Sequence, residues 1–337
     1  MKAVIIGAGR MGRRHVEVVR AAGIDLAGVA DRSSEALALA ERENAVPRAG
    51  LYRDVGRMLA ETRPDCVIVA TTAPSHAEYV HRSVEAGAQC ILCEKPLGVS
   101  IGDCDRMIRL CRERGVALAV NHQMRFMEQY VEPKRLVESE EFGGLSSVTV
   151  VAGNFGLAMN GTHYFEMFRF LAGESPARVR AWFSPDKVPN PRGREFEDRA
   201  GAVQLSSQSG KRFYMDASAD QGHGVQVVYA GPYGVLTVDE LAGRARMVVR
   251  KPEHRAMPTT RYGMPWEERR FEMAPADVIQ PSRAVLEALL RRSDYPTGED
   301  GRAAVAALVA AHLSDERGGD QVNVDETLPK ERLFPWA

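Results

Sequence analysis

Gly7, Gly9 and Gly12 stand between an apolar run, Ala3–Ile6, and a helix-forming stretch, Met11–Ala22. A strand-to-helix turn of that composition suits a pyrophosphate. Gly7 permits the tight turn, Gly9 lets the backbone approach the phosphates, and Gly12 lets helix and strand pack closely. The open N–H groups of the helix start then face the phosphates. Arg10 and Met11 lie inside the motif and count with it as cofactor contacts. Asp31 ends a second apolar run, Ile24–Ala30, where a carboxylate can accept both ribose hydroxyls of NAD. Arg32 and Ser33-Ser34 follow directly and would suit a 2′-phosphate, so NADP stays open as the alternative cofactor. Asp31 would serve in either case as an N-cap of the next helix.

Cys93-Glu94-Lys95-Pro96 closes another apolar run, Gln89–Cys93. In an open parallel sheet the carboxyl ends of strands are where ligands sit. A lysine there, beside a nicotinamide cation, would have its pKa lowered, which suits it to exchange protons near neutrality. The competing reading is a Glu94–Lys95 ion pair in a turn. His163 is the second candidate, in the first turn of a helix expected over Thr162–Leu171, with Asn160 and Thr162 as N-cap candidates. The positive end of a helix disfavours imidazolium, so the ring is expected to stay neutral and able to accept a proton. Tyr164, Met167, Phe168 and Leu171 recur at the spacing of a core-facing stripe, and His163 falls off it. Arg125, Arg192 and Arg194 are candidates for meeting an anionic substrate, against the commoner role of solvated surface arginines.

Residues 1–121 alternate strands with helices. Further strands are expected at Cys66–Ala70 and Val116–Val120, and helices over Ser34–Glu43, Ser75–Ala86 and Ile101–Arg114. Gly23, Gly87 and Gly115 follow the helix ends that glycine commonly closes. This rhythm implies right-handed crossovers and a doubly wound parallel sheet, an α/β Rossmann domain. After residue 121 the rhythm changes. Helices are expected over Gln129–Ser139 and Thr162–Leu171, and strands at Ser146–Val151, Arg178–Phe183, Gly201–Gln208, Arg212–Ser218, Val225–Tyr229, Val235–Val238 and Arg246–Arg250. Ser209-Gly210 and Gly231–Gly234 read as hairpin turns, and Pro281–Arg291 and Glu299–His312 as closing helices. Residues 122–337 are therefore expected to form an α+β domain with a large open, mostly antiparallel sheet, and with surface excursions at Ser184–Arg194 and Pro252–Trp266.

Bulk properties narrow the partners. Lys+Arg is 44 and Asp+Glu is 45, a formal net charge of −1, whereas nucleic acid and membrane surfaces select for a basic excess. No apolar run approaches the ~20 residues of a membrane span. The residues ahead of Gly7 are too few for a signal peptide. Five cysteines, an odd number, suggest reduced thiols and a cytoplasmic protein. Cys90-x-x-Cys93 lies inside a strand-like run with no second pair nearby, so no metal is expected.

The early GxGxxGxxH from Gly7 to His15, strand-terminal Asp31, Ala70-Thr71-Thr72 with His76, and Glu94-Lys95-Pro96 together resemble the Gfo/Idh/MocA family. That family comprises glucose–fructose oxidoreductase, inositol dehydrogenase and rhizopine-catabolism type enzymes. Arg125-Phe126, Gly161-x-His163, Gly231–Gly234 and Gly298-Glu299-Asp300-Gly301 extend the likeness over essentially the whole chain. The resemblance implies a Rossmann domain followed by an open-sheet α/β domain. Substrate would lie between them over the nicotinamide, and homodimers or homotetramers would form through the outer face of the sheet. Carried over by position, Lys95 would transfer a proton and orient substrate, and His163 would be the catalytic histidine. Thr71, Thr72, His76, Glu94, Lys95 and Asn121 would join the cofactor contacts, and Arg125, Asn160, His163 and Tyr164 the substrate contacts. Lys95-Pro96 is expected to be strained or cis. The implied activity is hydride transfer between nicotinamide C4 and a carbinol carbon of a sugar, inositol or nucleotide-sugar-like substrate. Two alternatives stand beside it: a glycosidase-like enzyme using NAD transiently, and a dinucleotide-binding regulator without catalysis. The chain departs from the family pattern at Thr72-Ala73, where many members have Pro-Asn. A second departure is Met159, where an aspartate commonly partners the histidine.

Overall fold

The computed structural model describes residues 1–153, 155–186, 190–259 and 265–337, so parts of the two expected surface excursions lie outside the described residues. The chain divides into two compact units, the first made of Met1–Phe126, Asp277–Val305 and Pro329–Ala337. Its strands are β1 (Lys2–Ile6), β2 (Asp25–Ala30), β3 (Leu51–Tyr52), β4 (Cys66–Val69), β5 (Cys90–Cys93) and β6 (Ala117–Val120). They form one sheet in the order β3-β2-β1-β4-β5-β6, parallel throughout. The unbroken apolar runs follow from that placement: β4, β5 and β6 are buried at every position, as strands covered on both faces must be. Helices α1 (Arg10–Ala21), α2 (Ser34–Asn44), α3 (Val55–Thr62), α4 (His76–Glu85) and α5 (Ile101–Glu113) connect them. β3 and α3 were not expected. β3 has only two residues, and α3 is an eight-residue helix opened by Asp54, whose Oδ1 accepts from Arg57 N at 2.6 Å. All five cysteines are buried free thiols.

The second unit, Met127–Ala276 and Ala306–Leu328, opens with α6 (Glu128–Val137), β7 (Ser147–Val151) and α7 (Thr162–Ala172). Then come β8 (Pro176–Phe183), β9 (Gly201–Ser207), β10 (Arg212–Asp216), β11 (Gln226–Ala230), β12 (Gly234–Asp239), β13 (Arg244–Arg250) and β14 (Trp266–Glu272). Residues buried and half-buried alternate along β9, the mark of a strand with one covered face. Phe165 and Phe168 of α7 pack on Phe213 of β10, with ring centroids 6.1 and 5.6 Å apart. β14 was missed because Trp266-Glu267-Glu268-Arg269-Arg270-Phe271-Glu272 has no apolar alternation; it is an edge strand guarded by charge.

The chain then returns to the first unit. Val285, Leu286 and Leu289 of α8 (Ile279–Arg291) join the core that includes Ile5, Val16 and Ile68. α9 (Gly298–Glu316) begins in the first unit and ends in the second, where β15 (Val322–Asn323) completes a nine-stranded sheet. Its order is β14-β13-β12-β11-β7-β10-β9-β8-β15, and only β7 and β10 run parallel.

Candidate active site

In the first sheet the strand order reverses between β1 and β4, and ligands bind such sheets at the carboxyl ends beside the reversal. The glycine turn lies there. Gly7 has φ +101°, and a Cβ on it would come 2.7 Å from Ala70 O; one on Gly12 would come 1.8 Å from Gly7 O. Gly9 differs. It is the N-cap of α1, no side chain caps the helix, and a Cβ there would meet nothing within 4 Å. Close packing on two sides and open space over uncapped N–H groups fit a bound pyrophosphate. Arg10 is exposed and Met11 half-buried. Asp31 Oδ2 accepts from Ala8 N at 2.7 Å and Oδ1 from Ser33 N at 2.8 Å, which ties the end of β2 to the glycine turn. Ser33 rather than Asp31 caps α2, its Oγ accepting from Ala36 N at 3.2 Å. Arg32 is exposed, and its carbonyl accepts from Arg53 Nη2 at 2.7 Å.

Beyond β4 and β5 the edge is clasped from inside. His76 is fully buried. Its Nε2 lies 3.1 Å from Thr71 O, and its Nδ1 lies 3.1 Å from Pro96 O and 3.2 Å from Leu97 O. The ring thus ties the loop after β4 to the segment after Lys95. Ser75 Oγ donates to Thr71 Oγ1 and to Thr72 O, at 2.8 and 2.9 Å. Glu94 is 2% exposed; its Oε1 lies 2.7 Å from His15 Nε2 and accepts from Asn121 Nδ2 at 2.9 Å, while Oε2 accepts from Lys95 N at 3.3 Å. Burial alone would raise the Glu94 pKa. The His15 hydrogen bond and charge, the Lys95 charge and Asn121 outweigh it and hold the carboxyl at about 2. Lys95 itself is 7% exposed, and the Lys95-Pro96 bond is cis. Asp31, Thr71, Thr72, Glu94, Lys95 and Asn121 therefore all follow carboxyl ends of strands in one sheet, and His76 opens α4 just beyond β4. Arg125 Nη1 pairs with Asp300 Oδ2 at 3.2 Å.

Two groups in this unit escaped the sequence reading. His15 appears in it only as a motif letter, yet it is Glu94's nearest partner. The other is the carboxyl-terminal segment: Trp336 is fully buried, stacks on Phe334 at 4.7 Å, and donates from Nε1 to Gly98 O at 3.0 Å. Phe334 N donates to Val99 O at 2.9 Å. Two aromatic residues two positions apart carry no motif, and only the fold brings them to the segment following Lys95.

In the second unit Asn160, His163 and Tyr164 share one helical run, but its start is not where the capping residues suggested. The run begins at Leu157 as a π-helical turn and continues into α7 through Gly161. Neither Asn160 nor Thr162 caps it; Thr162 Oγ1 instead donates back to Ala158 O at 3.0 Å. The reason is a carboxylate from elsewhere. Asp198 Oδ1 accepts from Ala158 N and Oδ2 from Met159 N, both at 2.8 Å, satisfying donors that a helix start leaves open. His163 thus stands in the second turn and is 6% exposed. Asn160 is half-buried. Tyr164, Met167, Phe168 and Leu171 are all buried, as the stripe predicts. Tyr164 Oη donates to Glu240 Oε2 at 2.8 Å, and Tyr130 Oη donates to Glu240 Oε1 at 2.7 Å. Burial raises the Glu240 pKa, and the two phenol hydrogen bonds only partly oppose it. Nothing in the spacing of Asp198 or Glu240 announced either contact.

Residues 1–122 match the model of an oxidoreductase family with an NAD-binding Rossmann fold. Over those residues the chain is similar to the Gfo/Idh/MocA family. It is an NAD-binding oxidoreductase. The chain is 25% identical to the D-apiose dehydrogenase of Paraburkholderia graminis, over 94% of this chain and 88% of that one. It is 28% identical to an inositol 2-dehydrogenase of Mycolicibacterium smegmatis, over 96% of each chain. An Agrobacterium radiobacter oxidoreductase solved with NAD+, L-tartaric acid and magnesium shares the fold, with a TM-score of 0.79 at 20% identity over 96% of this chain and 98% of that one. Among the described residues no helix is long and apolar enough to cross a membrane.

Proposed function

We propose that this protein is a cytoplasmic NAD-dependent dehydrogenase that oxidises a secondary alcohol carbon of a sugar, inositol or related polyol. The observation that carries the reading is the buried Glu94-Lys95 pair at the carboxyl end of β5, beside a glycine turn with space for a pyrophosphate. Gly7, Gly9, Gly12 and Asp31 would hold the dinucleotide, with Thr71, Thr72 and Asn121 along the same edge. NAD, when bound, supplies the hydride acceptor. Lys95 orients the substrate hydroxyl and takes its proton, and His163 is the second group assigned to that proton. Glu94 keeps a fixed negative charge behind the Lys95 backbone, and His76 fixes the segment that follows. The activities of the relatives, on D-apiose and inositol, support a polyhydroxylated substrate.

The test is the rate of NAD+ reduction, followed by the absorbance of the reduced nicotinamide, across inositols, aldoses and alditols. Steady NADH release with one of them is expected. Tight NAD+ binding with no turnover would favour a regulator, and substrate conversion without NADH release would favour transient use of the cofactor.

Assembly through the outer face of the nine-stranded sheet into a homodimer or homotetramer is part of the same reading. Trp182 and Tyr214 are 48% and 38% exposed there, around a depression of about 250 Å³ that also includes Val151 and Gln204. Light scattering should give a multiple of the 37.1 kDa chain mass, and Trp182→Glu should reduce it.

A further inference from the structure

We propose that Asp198 is the positioning carboxylate of the His163 helix: it holds the turn that presents Asn160 and His163 and sets a negative charge at its head. This rests on the assignment of His163 to proton transfer. Asp198 comes from the segment before β9 and is 4% exposed. Its two oxygens take the N–H groups of Ala158 and Met159, each at 2.8 Å. Gly156 makes the room: a Cβ there would lie 1.9 Å from Asp198 Oδ2 and 2.1 Å from its Cγ. The carboxylate therefore fills the space at the head of the run, and no larger residue fits beside it.

Capping alone does not require a charge. Serine, threonine or asparagine satisfies one such N–H at a lower burial cost, whereas the carboxylate offers a separate acceptor oxygen to each of the two. The two charge-assisted hydrogen bonds offset part of that cost. They also place the charge at the N-terminal head of the helical run that carries His163 in its second turn, where a carboxylate faces the open N–H groups. Met159 itself offers only a thioether there. Asp198 thus delivers across 39 residues of sequence a charge that the local sequence lacks. It acts through the turn it holds and is not itself assigned to touch substrate.

Three changes test this. Asp198→Asn keeps the shape, removes the charge and replaces one of the two acceptor oxygens with an amide donor. Gly156→Ala displaces the intact carboxylate. Met159→Asp in the Asp198→Asn background returns a carboxylate one turn before His163. With saturating NAD+ and the polyol oxidised fastest by the wild type, both single changes should lower kcat at least about tenfold while KM changes less than about threefold. NAD+ affinity by calorimetry should stay at the wild-type value, and the thermal midpoint should fall only by the few degrees that loss of a helix cap costs. Met159→Asp should recover at least about threefold of the lost kcat in Asp198→Asn, a rescue that a purely structural cap would not show. Wild-type kcat in Asp198→Asn would overturn the proposal, as would a loss that tracks a fall in thermal midpoint and is not rescued. Amide hydrogen exchange over residues 157–163 is read on the same proteins whether or not they turn over. Faster exchange at Ala158 and Met159 in both single variants is expected. Unchanged exchange would overturn the proposal by itself, whereas a wild type that oxidises no polyol would sink only the assignment of His163.

Discussion

Glu94 in the parallel-sheet unit and Glu240 in the second unit are buried glutamates of nearly equal exposure, 2% and 7%, with opposite electrostatics. Glu94 faces His15, the Lys95 charge and the Asn121 amide, and these hold it at about 2. Glu240 receives only two phenol hydroxyls, so burial wins and its pKa rises. Burial is thus not what decides; the charge of the donors is. The first arrangement keeps a fixed anion behind Lys95 at any pH where an enzyme works. The second joins α6, α7 and the residue after β12 through a carboxyl that protonates more readily than an exposed one.

The largest consequence is in acid. A carboxylate whose folded pKa is depressed contributes stability that is full above its ordinary pKa and is lost as pH falls through the folded value. For Glu94 that window runs from 4.5 down to about 2. A shift of that size corresponds to roughly 3 kcal/mol. Glu94→Gln should therefore cost on the order of 3 kcal/mol at neutral pH and flatten the pH dependence of urea unfolding in that window. An unaltered acid limb would show that His15 and Lys95 do not stabilise the anion.

A second consequence concerns the other carboxylate on the same edge. Asp31 is fixed by Ala8 N and Ser33 N, and it would lie against a 2′-phosphate. NADP+ should bind at least about tenfold more weakly than NAD+, about 1.4 kcal/mol, and Asp31→Ser should narrow the gap. Equal affinity in calorimetric titrations would mean that Arg32 and Ser33 outweigh Asp31. The smallest effect is expected at Glu240. Its raised pKa makes its contribution full below the ordinary carboxylate range and lost as pH rises through the folded value. Glu240→Gln, a neutral isostere, should change stability by about 1 kcal/mol or less at neutral pH and favour the variant as pH rises. A loss as large as that of Glu94→Gln would erase the contrast between the two sites.

The same contrast explains what could be read in advance. The first unit announces itself because its candidate site residues follow strand ends, where glycine spacing, Asp31 and Glu94-Lys95-Pro96 sit in short local patterns. Most of the second sheet was legible for a similar reason, since strands such as β9 alternate buried and half-buried residues. What failed was held by contacts distant in sequence. Asp198 reaches Met159 across 39 positions, Glu240 reaches Tyr130 across 110, and Trp336 reaches Gly98 across 238. Local reading put the helix start at Asn160 or Thr162 because both are good caps. It could not see that a remote carboxylate had already satisfied the N–H groups one turn earlier.

The central claim is that Lys95 performs proton transfer at a dinucleotide edge which other residues build. Lys95→Met tests it most directly, with kcat and NAD+ affinity measured on the same preparation. The account predicts a kcat at least about a hundredfold below wild type, the usual scale of general acid–base help, with NAD+ affinity within about twofold. A variant retaining more than about a tenth of wild-type kcat, or one that loses turnover only because NAD+ no longer binds, would contradict it.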